Sequence, residues 1–411
     1  MIKAAILLAI AAAMLVAAVP AVAVDDTFVI TYWLGPEASD MRIAEVAEAN
    51  FTVAGPPAGP VSVEDNLKYL DFCRKYGIKG LVHDARVKAK LPSDPGFEAN
   101  LDAVIADYSK HPALYGYMIL DEPGPNMFPL LAAVNQYLLK KDPAHVPYIN
   151  IFPNYVDQPV IGVPYTQHVE DYVSQVKPAI LAYDHYALFA GYERDTYFEN
   201  LEIVRDAAIK HGIPWMSTIL STPHYNYRDP NIADIRWQVY TNLAYGGHGI
   251  GYYTYWTPGE VELGYRNAII GPDGKRTPHY YMVKRVNGEM KAWAPTLMKL
   301  TSTGVYHTGK LPIGTKALPA LPIIKSVSGS DLVIGLFDGP GKSKWMMLVN
   351  RDPRKAASAT VEFSTPVRVS ELSKRTGKLE PLRASNNYEA TPVGLELQPG
   401  DGRLFELDAK K

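Results

Sequence analysis

Two carboxylates stand side by side at Asp121-Glu122. They close an aromatic and aliphatic run from Leu114 to Leu120 and directly precede Pro123-Gly124. Acidic side chains at the end of a buried strand are costly unless they are solvated or paired. Pro123 stops the run and biases Glu122 towards an extended backbone. The neighbouring charge of Asp121 and partial burial should both raise the pKa of Glu122, keeping it protonated near neutral pH as a general acid must be. A second carboxylate, Asp184, ends another strand-like run in Tyr183-Asp184-His185-Tyr186. Glu260 is a weaker alternative for that role, and Asp84, next to His83, reads as a positioning residue. Trp33, Asn154, His224 and Trp256 complete the set of polar and aromatic candidates. Paired carboxyls suit the cleavage of a glycosidic bond, where an acid protonates the leaving oxygen and a carboxylate attacks or stabilises an oxocarbenium-like centre. Trp33, Tyr186 and Trp256 offer aromatic faces on which a pyranose ring can stack.

These residues need elements that bring them to one place. Between Phe28 and Leu300 the chain reads as eight short strand-like runs, each followed by a helical pattern. Ser39 and Ser62 sit where helices should start, and Gly77 and Gly212 where they should stop. Alternation of this kind implies βαβ units and a parallel sheet. Eight units in a segment of this length fit a (β/α)8 TIM barrel, assigned to residues 24–300. An open doubly wound sheet would show a glycine-rich phosphate turn after the first strand, and Leu34-Gly35-Pro36-Glu37 is not one. In a barrel, catalytic groups lie at the C-terminal strand ends, which is where all the candidates above fall. Past Leu300, helical periodicity gives way to short strand patterns, so residues 301–411 read as a small antiparallel β-sandwich domain. Gly339-Pro340-Gly341-Lys342-Ser343 resembles a phosphate loop, but it lacks the first glycine and a following helix and reads as a hairpin turn.

Composition narrows the function classes. Lys3, an apolar stretch from Ala4 to Val19, and Ala21-Val22-Ala23 form a signal-peptide pattern over residues 1–23. A secreted or periplasmic protein follows, with no membrane association once the leader is cut. The formal charge is −2 among 411 residues, which makes no electrostatic case for nucleic acid or anionic membranes. Cys73 is the single cysteine, so no internal disulfide can form, and its helical register makes it a packed thiol. The 27 Tyr and 6 Trp fit a sugar-binding surface but also fit a large barrel core. His83, Asp84, Asp184 and His185 are types that bind transition metals, yet His-Glu-x-x-His is absent and no His-x-His follows the first strand. Neither a metal nor a cofactor is expected. A serine nucleophile elbow is also missing from the barrel. Oligomeric state is left open.

The segment His111-Pro112-Ala113-Leu114-Tyr115-Gly116-Tyr117, running into Leu120-Asp121-Glu122-Pro123, resembles the fourth-strand segment of clan A glycoside hydrolases and family 42 β-galactosidase-like barrels. Tyr183-Asp184-His185-Tyr186 and Tyr253-Thr254-Tyr255-Trp256-Thr257-Pro258 look like parts of exported bacterial proteins of that type, and Leu348-Val349-Asn350-Arg351-Asp352 is similar to their C-terminal β-domain. The resemblance implies that Glu122 is the acid/base. It also implies a nucleophilic Glu at the end of strand seven, and here that strand reads Trp215 to Leu220 followed by Ser221-Thr222-Pro223-His224, with no acid. Asp184, Glu260, or the substrate's own acetamido group oriented by Asp121 must then complete a hydrolase. The expected function is hydrolysis of O-glycosidic bonds in a poly- or oligosaccharide. A catalytically silent carbohydrate-binding barrel and a polysaccharide lyase are the alternatives.

Overall fold

The computed structural model describes residues 27–88, 91–382 and 392–410, so the expected leader at 1–23 lies outside the described residues. Eight parallel strands form one sheet: β1 (Val29–Tyr32), β2 (Val53–Ala54), β3 (Lys79–Val82), β4 (Leu114–Asp121), β5 (Val146–Ile151), β6 (Leu181–His185), β7 (Trp215–Leu220) and β8 (Gly249–Tyr253). Their hydrogen-bonded order is β1-β8-β7-β6-β5-β4-β3-β2. Thr52 closes the ring between β1 and β2. Its amide donates to the Ile30 carbonyl (3.1 Å), its hydroxyl accepts from the Ile30 amide (2.8 Å), and that hydroxyl donates to the Phe28 carbonyl (2.7 Å). One side chain thus stands in for a ladder that β2 is too short to make.

Helices α1 (Asp40–Glu48), α2 (Val63–Lys75), α3 (Phe97–Tyr108), α4 (Phe128–Lys141), α5 (Tyr165–Val176), α6 (Tyr197–His211), α7 (Ile232–Ala244) and α8 (Pro278–Leu297) follow the strands in turn. Ser39 and Ser62 cap α1 and α2 through their side chains, and Gly212 ends α6 in the left-handed conformation, as their residue types predict. The barrel is filled by Val29, Leu81, Met118, Tyr148, Ala182 and Met216. A second apolar layer joins the opposite strand faces to the helices, and Cys73 lies in it as a buried thiol pushed up to about 12 by desolvation.

Strand β4 departs from regular geometry at two points that matter for the site. A Cβ on Gly116 would lie 2.0 Å from the Val146 carbonyl oxygen, so β4 and β5 approach this closely only because the residue is glycine. Further along, the register with β5 slips between Met118 and Leu120, a bulge that puts an extra residue in β4 and re-aims the residues beyond it.

The C-terminal region holds a three-stranded sheet, β10 (Ile324–Gly329), β13 (Ala357–Phe363) and β16 (Val393–Leu397). The second sheet has six strands: β9 (Thr301–His307), β11 (Leu332–Asp338), β12 (Lys344–Asn350), β14 (Val367–Leu372), β15 (Leu379–Pro381) and β17 (Gly402–Ala409). Every pair is antiparallel, and Gly339 to Ser343 turns the β11–β12 hairpin. One face of the larger sheet packs Ile334, Met346, Leu348 and Phe405 into the sandwich core. Its other face sends Val333, Trp345, Met347 and Val349 to the core shared with the barrel.

Candidate active site

The ends of β4, β5 and β6 bring three carboxyls and an amide together. Asn150, an inward residue of β5, donates from Nδ2 to Asp121 Oδ1 (3.1 Å) and to Asp184 Oδ1 (2.8 Å). The carboxyls of Glu122 and Asp184 lie near enough for each to shift the other's proton affinity. Strand alternation alone would turn Asp121 and Glu122 to opposite sides. The bulge and the backbone of Glu122 defeat that rule. Glu122 has φ +45°, in the left-handed region, instead of the extended backbone expected before proline, and its amide donates to the Asn150 carbonyl (2.8 Å). A bulky residue at positive φ stores strain that the surrounding contacts must hold in place.

Electrostatics follow from crowding. Burial, reinforced by the charges of Glu122 and Asp121, raises Asp184 well above the usual carboxylate range, against the Asn150 hydrogen bond. Burial and then the Asp121 charge raise Glu122 to about 7, opposed by its hydrogen bond with Asp184. Asp121 is solvent-accessible but rimmed by protein, and desolvation lifts it to about 6 against the bonds from Asn150 and the Glu122 amide. Three adjoining carboxyls cannot all ionise cheaply. The crowding favours the protonated form of Asp184 most strongly, and burial with the Asp121 charge favours the protonated form of Glu122.

Aromatic side chains wall this floor. Trp33, at the end of β1, donates from Nε1 to Thr218 Oγ1 across the barrel (3.1 Å) and lies 6.2 Å from the ring of Tyr148. Tyr186 packs against Tyr253 (5.3 Å) and edge-on to His224 (5.6 Å). His224 stacks on Tyr265 (4.9 Å) with Nδ1 on the Thr222 carbonyl (2.8 Å), and the Tyr253 and Tyr265 hydroxyls share a 2.6 Å bond. Glu260 is exposed on the loop after β8, and its charge adds to burial in raising both of those phenols.

Other sequence candidates stand apart from the carboxyls. His185 faces outward from β6, edge-on to Tyr155 (5.0 Å) and Tyr197 (5.1 Å), with neither ring nitrogen bonded. Asp84 is buried in an ion pair with Arg86 (2.6 Å) and accepts from the Tyr108 hydroxyl (2.8 Å). His83 is half-buried with Nδ1 3.3 Å from the Pro57 carbonyl. Asn154 is tied by its side chain to the Thr196 carbonyl (3.0 Å), at the head of α6. Trp256 has Arg42 over its ring at 4.9 Å, so one face is already occupied. Among the described residues, no group of three or more His, Cys, Asp or Glu has the geometry to hold a metal ion. No described helix is long and apolar enough to cross a membrane. Asn150 is the residue that sequence reasoning missed. Its signal was an amide in a strand, Val146 to Ile151, that is otherwise apolar apart from Tyr148 and Pro147.

No protein-family profile and no curated protein matches this chain. Solved structures do. A β-galactosidase from Bacillus circulans sp. alkalophilus superposes with a TM-score of 0.59 and 9% identity, over 92% of this chain and 98% of that one. A GH42 β-galactosidase from G. stearothermophilus gives 0.56 and 8%, over 94% and 99%. With a β-galactosidase from the psychrophilic Marinomonas ef1 the values are 0.49 and 10%, over 66% of this chain, which spans 61% of that one. The first two likenesses show the fold: a (β/α)8 barrel followed by a β-sandwich, shared with GH42 β-galactosidases.

Proposed function

We propose that the chain is a glycoside hydrolase in which Glu122 protonates the leaving oxygen of an O-glycosidic bond in a poly- or oligosaccharide. The observation that carries this reading is the cluster of carboxyls around Asn150, whose Nδ2 bonds both Asp121 and buried Asp184 and whose carbonyl accepts from the Glu122 amide. A carboxylic acid lifted to about 7 by burial and by the Asp121 charge is matched to proton transfer at neutral pH. Asp184 holds and tunes Glu122, Asn150 fixes both, and Trp33 and Tyr186 present ring faces to a sugar. The leader pattern at residues 1–23 supports a secreted or periplasmic site of action.

The missing acid at the end of β7 favours a second reading, a barrel that binds carbohydrate without cleaving it. A lyase fits less well, because burial raises the phenols of Tyr186 and Tyr253, the opposite of what a tyrosine base requires. A screen of the protein and of Glu122→Gln on polysaccharides and aryl glycosides, with reducing-end detection, separates the readings. Turnover is expected to fall about 10²–10⁴-fold in the variant while affinity for the same sugar is kept. Affinity without turnover in the unaltered protein would establish the silent barrel, and an unsaturated product absorbing in the near ultraviolet would establish the lyase.

A further inference from the structure

The carboxyls are arranged in a way that constrains what attacks the anomeric carbon, given the glycosidase reading above. Protein carboxylates that work from the two sides of a scissile bond stand roughly 5–5.5 Å apart for retention and 6.5–9.5 Å for inversion. Asp184 does not stand across a scissile bond from Glu122: its Oδ1 accepts from Asn150 Nδ2 (2.8 Å), the same amide that donates to Asp121, the residue next to Glu122. Asp184 is moreover buried, with 5% of its surface exposed. Strand β7, across the barrel, runs out in Leu220, Ser221 and Thr222, all buried and none acidic. The remaining carboxylate on the floor is Asp121. It is solvent-accessible, anchored by Asn150, and covalently adjacent to the acid, which puts it beside Glu122 and not opposite it.

A carboxylate beside the acid is badly placed to attack the anomeric carbon but well placed to accept a hydrogen bond from the substituent next to that carbon. We propose that the substrates are 2-acetamido-2-deoxyhexosides, that the acetamido oxygen of the sugar is the nucleophile, and that Asp121 holds the acetamido N–H. In the first step the carbonyl oxygen forms a bond to C1 as the C1–leaving-oxygen bond breaks, and the Glu122 proton passes to the leaving alcohol. Asp121 compensates the positive charge on the resulting oxazolinium ring through its N–H. In the second step water attacks C1 and gives its proton to the Glu122 carboxylate. The C1–carbonyl bond breaks, its electron pair returns to the amide, and the product retains configuration.

The full chain is tested on matched 4-nitrophenyl glycosides bearing 2-acetamido or 2-hydroxyl groups, in both anomers, and on chitin oligomers. Only the acetamido series should be cleaved. Replacing the acetyl methyl hydrogens by fluorine should slow turnover progressively, because it weakens the carbonyl nucleophile. Asp121→Asn should lose about 10²-fold or more in kcat, and a sugar-fused thiazoline, a stable analogue of the cyclised intermediate, should bind with measurable heat. Comparable cleavage of 2-hydroxyl glycosides, or rates indifferent to fluorination, overturns the proposal but leaves the glycosidase reading standing. No cleavage of any substrate and no thiazoline binding overturns this proposal. Binding of sugar without cleavage overturns both.

Discussion

Glu122, Asp184 and Asp121 are each worth more to the protein as a coupled set than as single residues, and the coupling has a measurable pH signature. All three have folded pKa values raised above the unfolded values of about 4. The folded state therefore binds the extra protons. Its stability is fullest below pH 4 as far as these groups decide it, and falls as pH rises through about 6 for Asp121 and about 7 for Glu122. Asp184→Asn keeps the acceptor for Asn150 and supplies a neutral donor to Glu122. It should raise Tm at pH 8 by about 2–4 °C and flatten the decline in stability between pH 5 and 8, in the range expected for on the order of 1 kcal/mol. Calorimetry at both pH values checks this, and equal pH slopes in the two proteins would contradict a raised Asp184 pKa. In that variant the neighbour of Glu122 is an amide that cannot ionise and still offers the hydrogen bond that lowers the Glu122 pKa, so Glu122 should ionise at lower pH. In the unaltered protein, kcat/KM should be bell-shaped, with limbs near the macroscopic values of about 6 and about 7. In Asp184→Asn the upper limb should move to lower pH. A limb that stays in place would show that Asp184 does not tune the acid.

At the scale of elements, β4 shows what could be read from the sequence and what could not. The run from Leu114 to Leu120, its abrupt end in two acids, and the caps at Ser39, Ser62 and Gly212 depend on side-chain types over a few residues, and those are legible. The partner of Asp121 and Asp184 was not, because Asn150 gains its meaning only from the register that sets it opposite Asp121. Likewise the positive φ of Glu122 overrides the local preference of a residue before proline, and it depends on a bulge that no local pattern announces. His185 failed to join the carboxyls for a related reason: a rim position in sequence does not say which face of the strand a side chain takes. Gly116 reads as a weak spot in a strand, yet it is where the Val146 carbonyl comes closest. Gly116→Ala should therefore disturb the bulge as well as stability, lowering Tm by an amount corresponding to about 1–3 kcal/mol or more and lowering activity beyond what unfolding explains. Gly394→Ala, where an added Cβ meets nothing within 4 Å, is the matched control. Similar melting of the two variants would mean that β4 can move away from β5.

The whole molecule is held by a β-sheet that is apolar on both faces. Strand β12 is buried at every position from Trp345 to Asn350, which is why its sequence runs apolar instead of alternating. Inner residues such as Met346 and Leu348 fill the sandwich, and outer ones such as Met347 and Val349 cover the barrel. The contact is specific. Trp237 Nε1 donates to the Arg351 carbonyl (2.9 Å), Trp293 Nε1 to the Leu372 carbonyl (3.0 Å), and the Tyr245 hydroxyl meets His307 Nε2 at 2.9 Å. Lys374, paired with Asp401 at 2.5 Å, lies over the rings of Tyr240 (4.2 Å) and Trp293 (5.6 Å). Each of these aromatic side chains is worth about 1.5–3 kcal/mol when moved out of water, and a domain has only about 5–15 kcal/mol of net stability. Removing the residues after Leu300 uncovers all four on α7, α8 and the turn that follows α7. The shortened barrel should aggregate, or melt well below the full chain, although the contacts it loses lie on α7, α8 and the turn after α7 and not at Glu122. Light scattering and a melting curve on the truncated protein decide this. A soluble barrel melting within about 2 °C of the full chain would mean that the β-domain merely rests on a barrel stable without it. In that event the apolar outer face of β12 would need another explanation than docking.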